Sequence, residues 1–155
     1  FPLIAAARPA VKLLMAGRTD GVDMAALPTH PNALHVGHQS DIRPFVQRAW
    51  LSIVPENLGG GTRIKVLESM ALGTPVVANS NSVKGLDVRN EHDVLIADTP
   101  HELASAVLRV LNEPELRERL RVNARATIEQ RYDWKSIGAE FDAFVSRSIR
   151  SEIGN

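Results

Sequence analysis

Short apolar runs alternate with stretches of helical spacing along this chain, the layout of a parallel sheet whose strands are joined by crossover helices. Runs at residues 11–16, 33–37, 51–54, 75–78 and 94–97 are predicted strands. Most are apolar nearly throughout, as strands are when helices cover both of their faces. Three of them end in a loop-forming residue: Gly17, Gly37 and Pro55. In open α/β sheets ligands sit outside the carboxyl ends of the strands, so these ends are the places to look for a site.

The helices between the strands carry their own punctuation. Asp41 is a candidate cap for a helix with Ile42, Phe45, Val46 and Ala49 on one apolar face. Thr62 is a candidate cap for the next helix, which should stop at Gly73, with Pro75 preventing continuation. Thr99-Pro100-His101-Glu102 reads as a capping box with proline in the first turn, and Asn112-Glu113-Pro114-Glu115 repeats the arrangement. Asp133 is placed to cap a last helix with Ile137, Phe141, Phe144 and Val145 on one face, and Tyr132 and Trp134 are expected to anchor it by packing. The absence of any repeat or linker leaves residues 1–155 as one domain.

Composition narrows the function. The 155 residues are 44% hydrophobic, an ordinary globular content. Eighteen Lys and Arg balance eighteen Asp and Glu. Such a balance gives no broad basic field, so nucleic acid is not the expected partner and any anion must be held by a local site. Without cysteine the chain has no disulfide, zinc-thiolate or thiol chemistry. No run reaches the roughly 20 apolar residues of a membrane helix. The five histidines show no metal-ligand spacing, so a zinc site is not expected; His38 stands out only because of its loop.

The chemistry concentrates in PENLGGGTRIKVLESMALGTPVV, residues 55–77. A predicted strand leads into Gly59-Gly60-Gly61, and a helix starts near Thr62. Glycines allow close backbone approach, and the free N–H groups of a first helical turn attract phosphate. Arg63 and Lys65 add two positive charges, and an arginine can grip two phosphate oxygens at once. Glu68, one turn past Ile64 and read as lying close to the sheet-facing side, offers an acceptor for sugar or ribose hydroxyls. The plainer alternative is a tight packing turn with an exposed Lys65–Glu68 ion pair. Neither the Walker spacing nor the G-x-G-x-x-G spacing is present.

These residues resemble the donor-site stretch of glycosyltransferase family 4, enzymes of the two-domain GT-B fold. The resemblance runs from PAVKLLMAG and LHVGHQSDIRPFVQRAWLSIVP, through GGGTRIKVLESMALGTPVVAN, to HDVLIADTPHELASAVLRVL, NEPELRERLRVNAR and YDWKSIGAEF. It implies a Rossmann-like parallel sheet with helices on both faces, the C-terminal, donor-binding half of such an enzyme. The acceptor-binding N-terminal half lies outside this chain. On this reading residues 1–7 end the helix that follows a first, central strand absent from the chain. With strand order 3-2-1-4-5-6, the runs at 11–16 and 51–54 should then lie about two strand spacings apart, roughly 9–10 Å, with no ladder between them.

The resemblance also assigns roles. A nucleotide diphosphate sugar is the expected donor substrate, transferred with retention in glycan or cell-envelope polysaccharide synthesis. Arg63 and Lys65 would stabilise the departing diphosphate, and Glu68 would contact the ribose. Gly60, Gly61, Thr62 and Ile64 complete the cradle, and Gly17, Gly37 and His38 line the crevice on the nucleobase side. Arg18 faces the same crevice, although a solvated surface role is the simpler reading. The first of the family's paired glutamates falls on Gly60, a departure that leaves the sugar contact unassigned; Glu56, four residues earlier, is not given its place. No cofactor and no metal are expected. Asp98 is read as structural. Arg117, Arg119, Arg121 and Arg125 are read as the solvated face of an amphipathic helix, with anionic lipid heads as the alternative. The expected location is the cytoplasm, including its membrane face where the acceptor is lipid-linked. Two rivals stand beside the transferase: a nucleotide-sugar epimerase of the same fold and a non-catalytic α/β binding module.

Overall fold

The computed structural model describes residues 1–21, 23–24, 29–56 and 63–153. Among these residues five parallel strands form two sheets. β1 (Leu13–Ala16) pairs with β2 (Ala33–Gly37), and β3 (Ser52–Val54), β4 (Val76–Ala78) and β5 (Leu95–Ile96) form a second sheet in that order. Among the described residues no ladder joins β1 to β3, in keeping with the expected strand order. β2 matches its apolar run, and the other four strands are shorter than theirs. The Val11 amide turns back to the Arg8 carbonyl, and Val94 contributes an isolated bridge to Asn90.

Helices cover both faces of the β3–β5 sheet. Strand side chains alternate between the faces, and the burial follows that alternation. Val77 and Leu95 pack with Ile4 of α1 (Pro2–Ala7) and with Ala104, Val107 and Val110 of α5 (Pro100–Asn112). On the opposite face Val54, Val76 and Ala78 meet Val66 and Met70 of α3 (Ile64–Ala71). The long helix α6 (Pro114–Arg131) serves both layers, with Leu116 and Leu120 in the first cluster and Ala124 and Ile128 in the second. Arg119, Arg121 and Arg125 are exposed as expected, with Arg121 paired to Glu118 and Arg125 to Glu129, whereas Arg117 is half-buried, stacked on the Trp50 ring at 4.2 Å and donating to the Val110 carbonyl.

Local signals explain most helix ends. After α3 the Gly73 amide donates to the Met70 carbonyl and the Thr74 amide to Ser69. This closing motif places Gly73 at φ +74°, where a side chain would add roughly 1–2 kcal/mol of strain. At α5 the Thr99–Glu102 capping box is complete, with Pro100 in the first turn. The second expected box is not. Pro114 does open α6, but Asn112 is the last residue of α5 and Glu113 gives no side-chain cap. The single residue between the two helices leaves no extended position for an Asn cap to occupy.

Two further expectations need correction. In α2 (Arg43–Arg48) the cap position is Ile42; Asp41 precedes it, accepting from the Arg43 amide at 2.9 Å and gripping the Arg43 guanidinium with both oxygens. None of the helix's apolar stripe is fully buried, and Ala49 is exposed. In α7 (Trp134–Ile153) Asp133 does accept from the Lys135 amide at 3.1 Å. The apolar face of that helix, however, points to solvent: Trp134 is 84% exposed, and Ile137, Phe141 and Phe144 are exposed as well. Trp134 therefore anchors nothing here. Tyr132 does, through its packing in the second cluster and its hydroxyl, which accepts from the Asp87 amide at 2.7 Å.

Candidate functional site

The carboxyl ends of β3, β4 and β5 carry a connected set of polar groups. Two residues past β3 lies Glu56. Its amide donates to the Ser82 hydroxyl at 2.9 Å and its carbonyl accepts from the Asn81 side chain at 2.9 Å. Both partners belong to α4 (Ser80–Val83), the short helix that follows β4. The Asn79 side chain caps that helix by accepting from the Ser82 amide. Beyond β5, Asp98 accepts from the Ser80 amide at 2.7 Å and from its hydroxyl at 2.6 Å. These bonds hold the Asp98 carboxyl below the usual aspartate range. Asp98 thus has the structural role expected of it, tying the end of β5 to the end of β4.

Arg63 and Lys65 enter the same region from the start of α3. The Lys65 ammonium forms a hydrogen-bonded ion pair with Glu56 Oε1, and Arg63 Nη1 lies 3.8 Å from Glu56 Oε2. Arg63 is 9% exposed while Lys65 is largely solvated. The bond from Lys65 keeps the Glu56 carboxyl below the ordinary glutamate range, so it is ionised at neutral pH. One carboxylate therefore meets two cations at the mouth of the strand-to-helix connection.

The other predicted residues fall into three groups. Gly60, Gly61 and Thr62, with the proposed Thr62 cap, lie outside the described residues. Ile64 is 58% exposed on the first turn of α3. Glu68 is exposed, not turned toward the sheet as the sequence reading had it; Val66, Ser69 and Met70 take the buried face. Nor does Glu68 pair with Lys65, whose partner is Glu56. On the other sheet Gly17 and Gly37 come together at the ends of β1 and β2, where the Gly17 amide donates to the Gly37 carbonyl at 2.9 Å. Gly37 has φ +67°, a conformation glycine adopts freely, and it turns the chain into the His38 loop. Arg18 lies in the open, 3.8 Å from Asp20.

Sequence reasoning missed the position of Glu56. A usable signal was present: the predicted strand ends two residues before Glu56, and the next helix begins at Arg63 and Lys65. Opposite charges at the two ends of one strand-to-helix connection are brought to the same edge of the sheet. Among the described residues no cluster of His, Asp and Glu is placed to hold a metal ion, and no helix is long and apolar enough to cross a membrane.

Fold and site together define a parallel α/β unit whose charged groups collect at the carboxyl strand ends, the ligand crevice of open sheets. Residues 1–113 match the family described as glycosyl transferases group 1, and the chain belongs to that family. It is 29% identical over 97 residues to a glycosyltransferase 1 domain-containing protein of Xenopus tropicalis, covering 63% of this chain and 28% of that protein. Over 81 residues it is 37% identical to an uncharacterized glycosyltransferase of Methanocaldococcus jannaschii, covering 50% of this chain and 20% of the relative. Among solved structures, Anabaena HepE in complex with UDP and glucose superposes with a TM-score of 0.77 at 20% identity, covering 94% of this chain and 44% of that one. Sucrose-phosphate synthase from Thermosynechococcus elongatus superposes with a TM-score of 0.62 at 23% identity, covering 77% and 31%. At those identities the likeness is one of fold, that of GT-B glycosyltransferases. The chain spans well under half the length of the relatives it matches.

Proposed function

We propose that this chain is the donor-binding domain of a two-domain glycosyltransferase and holds a nucleotide diphosphate sugar at the carboxyl edge of its sheets. One observation carries the reading. In a group 1 glycosyltransferase chain, Arg63 and Lys65 stand together at the start of α3, beside the carboxyl end of β3. There they are placed to take the charge that grows on a nucleoside diphosphate as the glycosyl bond breaks. Glu68, exposed one turn further on, has its carboxylate available for ribose hydroxyls. Gly17, Gly37 and His38 supply the nucleobase side. HepE, of the same fold, has been solved with UDP and glucose, which supports a nucleotide-sugar donor. With protein cations opposite the diphosphate, the transfer proceeds without a metal, and we assign it retention at the anomeric carbon.

The exposed apolar face of α7 fits a longer protein, in which an acceptor-binding domain completes the enzyme. A cytoplasmic location belongs to this reading, at the membrane face where the acceptor is lipid-linked. The test is a titration of nucleotide sugars and free nucleotides on the full-length protein and its variants. Arg63→Ala and Lys65→Ala should each weaken nucleoside diphosphate binding by about 1.5–3 kcal/mol. Glu68→Ala should weaken ribose-containing ligands and spare pyrophosphate. Failure of every nucleotide to bind at millimolar concentration would remove the proposal. Release of an altered nucleotide sugar without an acceptor would point to the epimerase reading instead.

A further inference from the structure

We infer that Glu56 is a built-in competitor of the donor, an internal carboxylate that occupies Arg63 and Lys65 until a diphosphate displaces it. The inference rests on the donor-site reading above and adds a regulatory element to the same site.

Glu56 is presented to the cations by a fixed main chain. Its amide and carbonyl are both tied to α4, through Ser82 and Asn81. That helix is capped by Asn79 and held to the end of β5 by Asp98. The ends of three strands thus cooperate to set the position of one glutamate. The side chain beyond that anchor is free to turn, because its aliphatic dihedrals hop between staggered rotamers and it is 30% exposed. Nothing in the main-chain anchoring depends on where the carboxylate points.

Charge decides the exchange. The carboxylate brings one negative charge to the buried Arg63 and the solvated Lys65, and its hydrogen-bonded pair with the solvated Lys65 is weak. A nucleoside diphosphate brings more charge and several acceptor oxygens, and an arginine can bind two of them together. The incoming diphosphate therefore replaces Glu56 at both cations. Left in place, the carboxylate would stand beside the diphosphate as a like charge, so it must rotate toward solvent. Until then the two cations are neutralised in part and hold back weaker anions such as inorganic phosphate. Affinity for every anion that must displace the carboxylate is lowered by one common factor, set by the fraction of molecules in which the cations are already released.

The test measures UDP and inorganic pyrophosphate binding to the full-length protein by calorimetry, in the wild type and in Glu56→Gln, Lys65→Ala and the double variant. Glutamine keeps the shape and leaves the main-chain anchors intact; an unchanged melting profile verifies this. Glu56→Gln should bind both ligands about fivefold more tightly, the order of a weak ion pair removed. In the Lys65→Ala background the gain from Glu56→Gln should fall below about twofold, because the hydrogen-bonded contact is already gone and only the longer one to Arg63, at 3.8 Å, is left to relieve. Tighter binding that persists undiminished in that background would mean a general field effect, and would overturn direct competition. Equal or weaker binding by Glu56→Gln, with the wild type binding normally, would overturn the inference and leave the donor site standing. If no form binds either ligand, the donor-site reading falls and this one falls with it. Should Glu56→Gln prove unstable, Glu56→Ala provides the same comparison with the carboxylate removed altogether.

Discussion

In the β3–β4–β5 sheet Val76, Val77 and Ala78 are fully buried, whereas in the β1–β2 pair Leu14 and Leu34, partners in register, are 48% and 43% exposed. Both regions are parallel and mostly apolar, although Val and Ile dominate the first and Leu is commoner in the second. What separates their burial is coverage. The first has α1 and α5 on one face and α3 on the other, with α6 reaching both, so every apolar strand residue lies in or against a core cluster. Among the described residues the second has none in either core cluster, apart from the flanking Val11 at the margin of the first. An apolar strand reports that something covers it and leaves open which element does so. The cost of disturbing each region should differ accordingly.

The largest effect is expected where coverage is complete. Met70→Ala, at a fully buried position between sheet and α6, should destabilise the chain by about 2–5 kcal/mol in a urea titration. A value near that of a surface substitution would mean that the second cluster is not a packed core.

Next comes the polar knot that fastens the approach to β5. Asp93 is 1% exposed and accepts from His92 Nδ1 at 2.7 Å, the Arg89 amide at 2.8 Å and the Thr127 hydroxyl at 2.9 Å. Burial opposes its ionisation, but the bonds from His92, Arg89 and Thr127 outweigh that and hold the carboxyl below the usual aspartate range. A carboxyl with a depressed folded-state pKa contributes stability above its unfolded pKa, about 4, and loses it as the pH falls through the folded value. Asp93→Asn should cost about 1–3 kcal/mol at neutral pH and flatten the decline in stability below about pH 4. An unchanged acid limb in the variant would refute this role.

Smaller effects sharpen the comparison. Thr99→Ala removes the side-chain half of the α5 capping box and should cost about 1 kcal/mol, read as a shift in melting temperature. Leu14→Ala, on the open β1–β2 face, should change the stability of the chain by less than about 0.5 kcal/mol. A loss comparable to that of Met70→Ala would show that the two sheets are equally packed.

Much of the fold was legible because its signals are local. Alternating apolar runs marked all five strands, the capping box at Thr99 marked α5, and Gly73 with Pro75 marked the end of α3. The spacing of Leu116, Leu120, Ala124 and Ile128 marked the buried side of α6. The failures concern features set by distant partners. Helical spacing in α7 identified a stripe that includes Ile137, Phe141 and Phe144, yet spacing carries no information on what meets it. Its place one turn after Ile64 predicts a Glu68 close to the sheet-facing side, but Ile64 is itself exposed. Glu56 went unread because its relation to Arg63 and Lys65 exists only once β3 and α3 lie side by side. The glycine triplet that drew attention to the site lies outside the described residues; the ion pair beside it is what the fold displays.

The central claim is that Arg63 and Lys65 receive a nucleoside diphosphate at the carboxyl edge of the sheet. Its most direct test is a crystal structure of the full-length protein with UDP or another bound nucleoside diphosphate. The diphosphate is expected within hydrogen-bonding reach of Arg63 and Lys65 at the start of α3, with the ribose near Glu68. A competing place among the described residues is the open groove of about 350 Å³ lined by Leu3, His101, Ser105, Leu108 and Arg109 along α1 and α5. A nucleotide seated there, with Arg63 and Lys65 still turned to Glu56 and no ligand beside them, would contradict it.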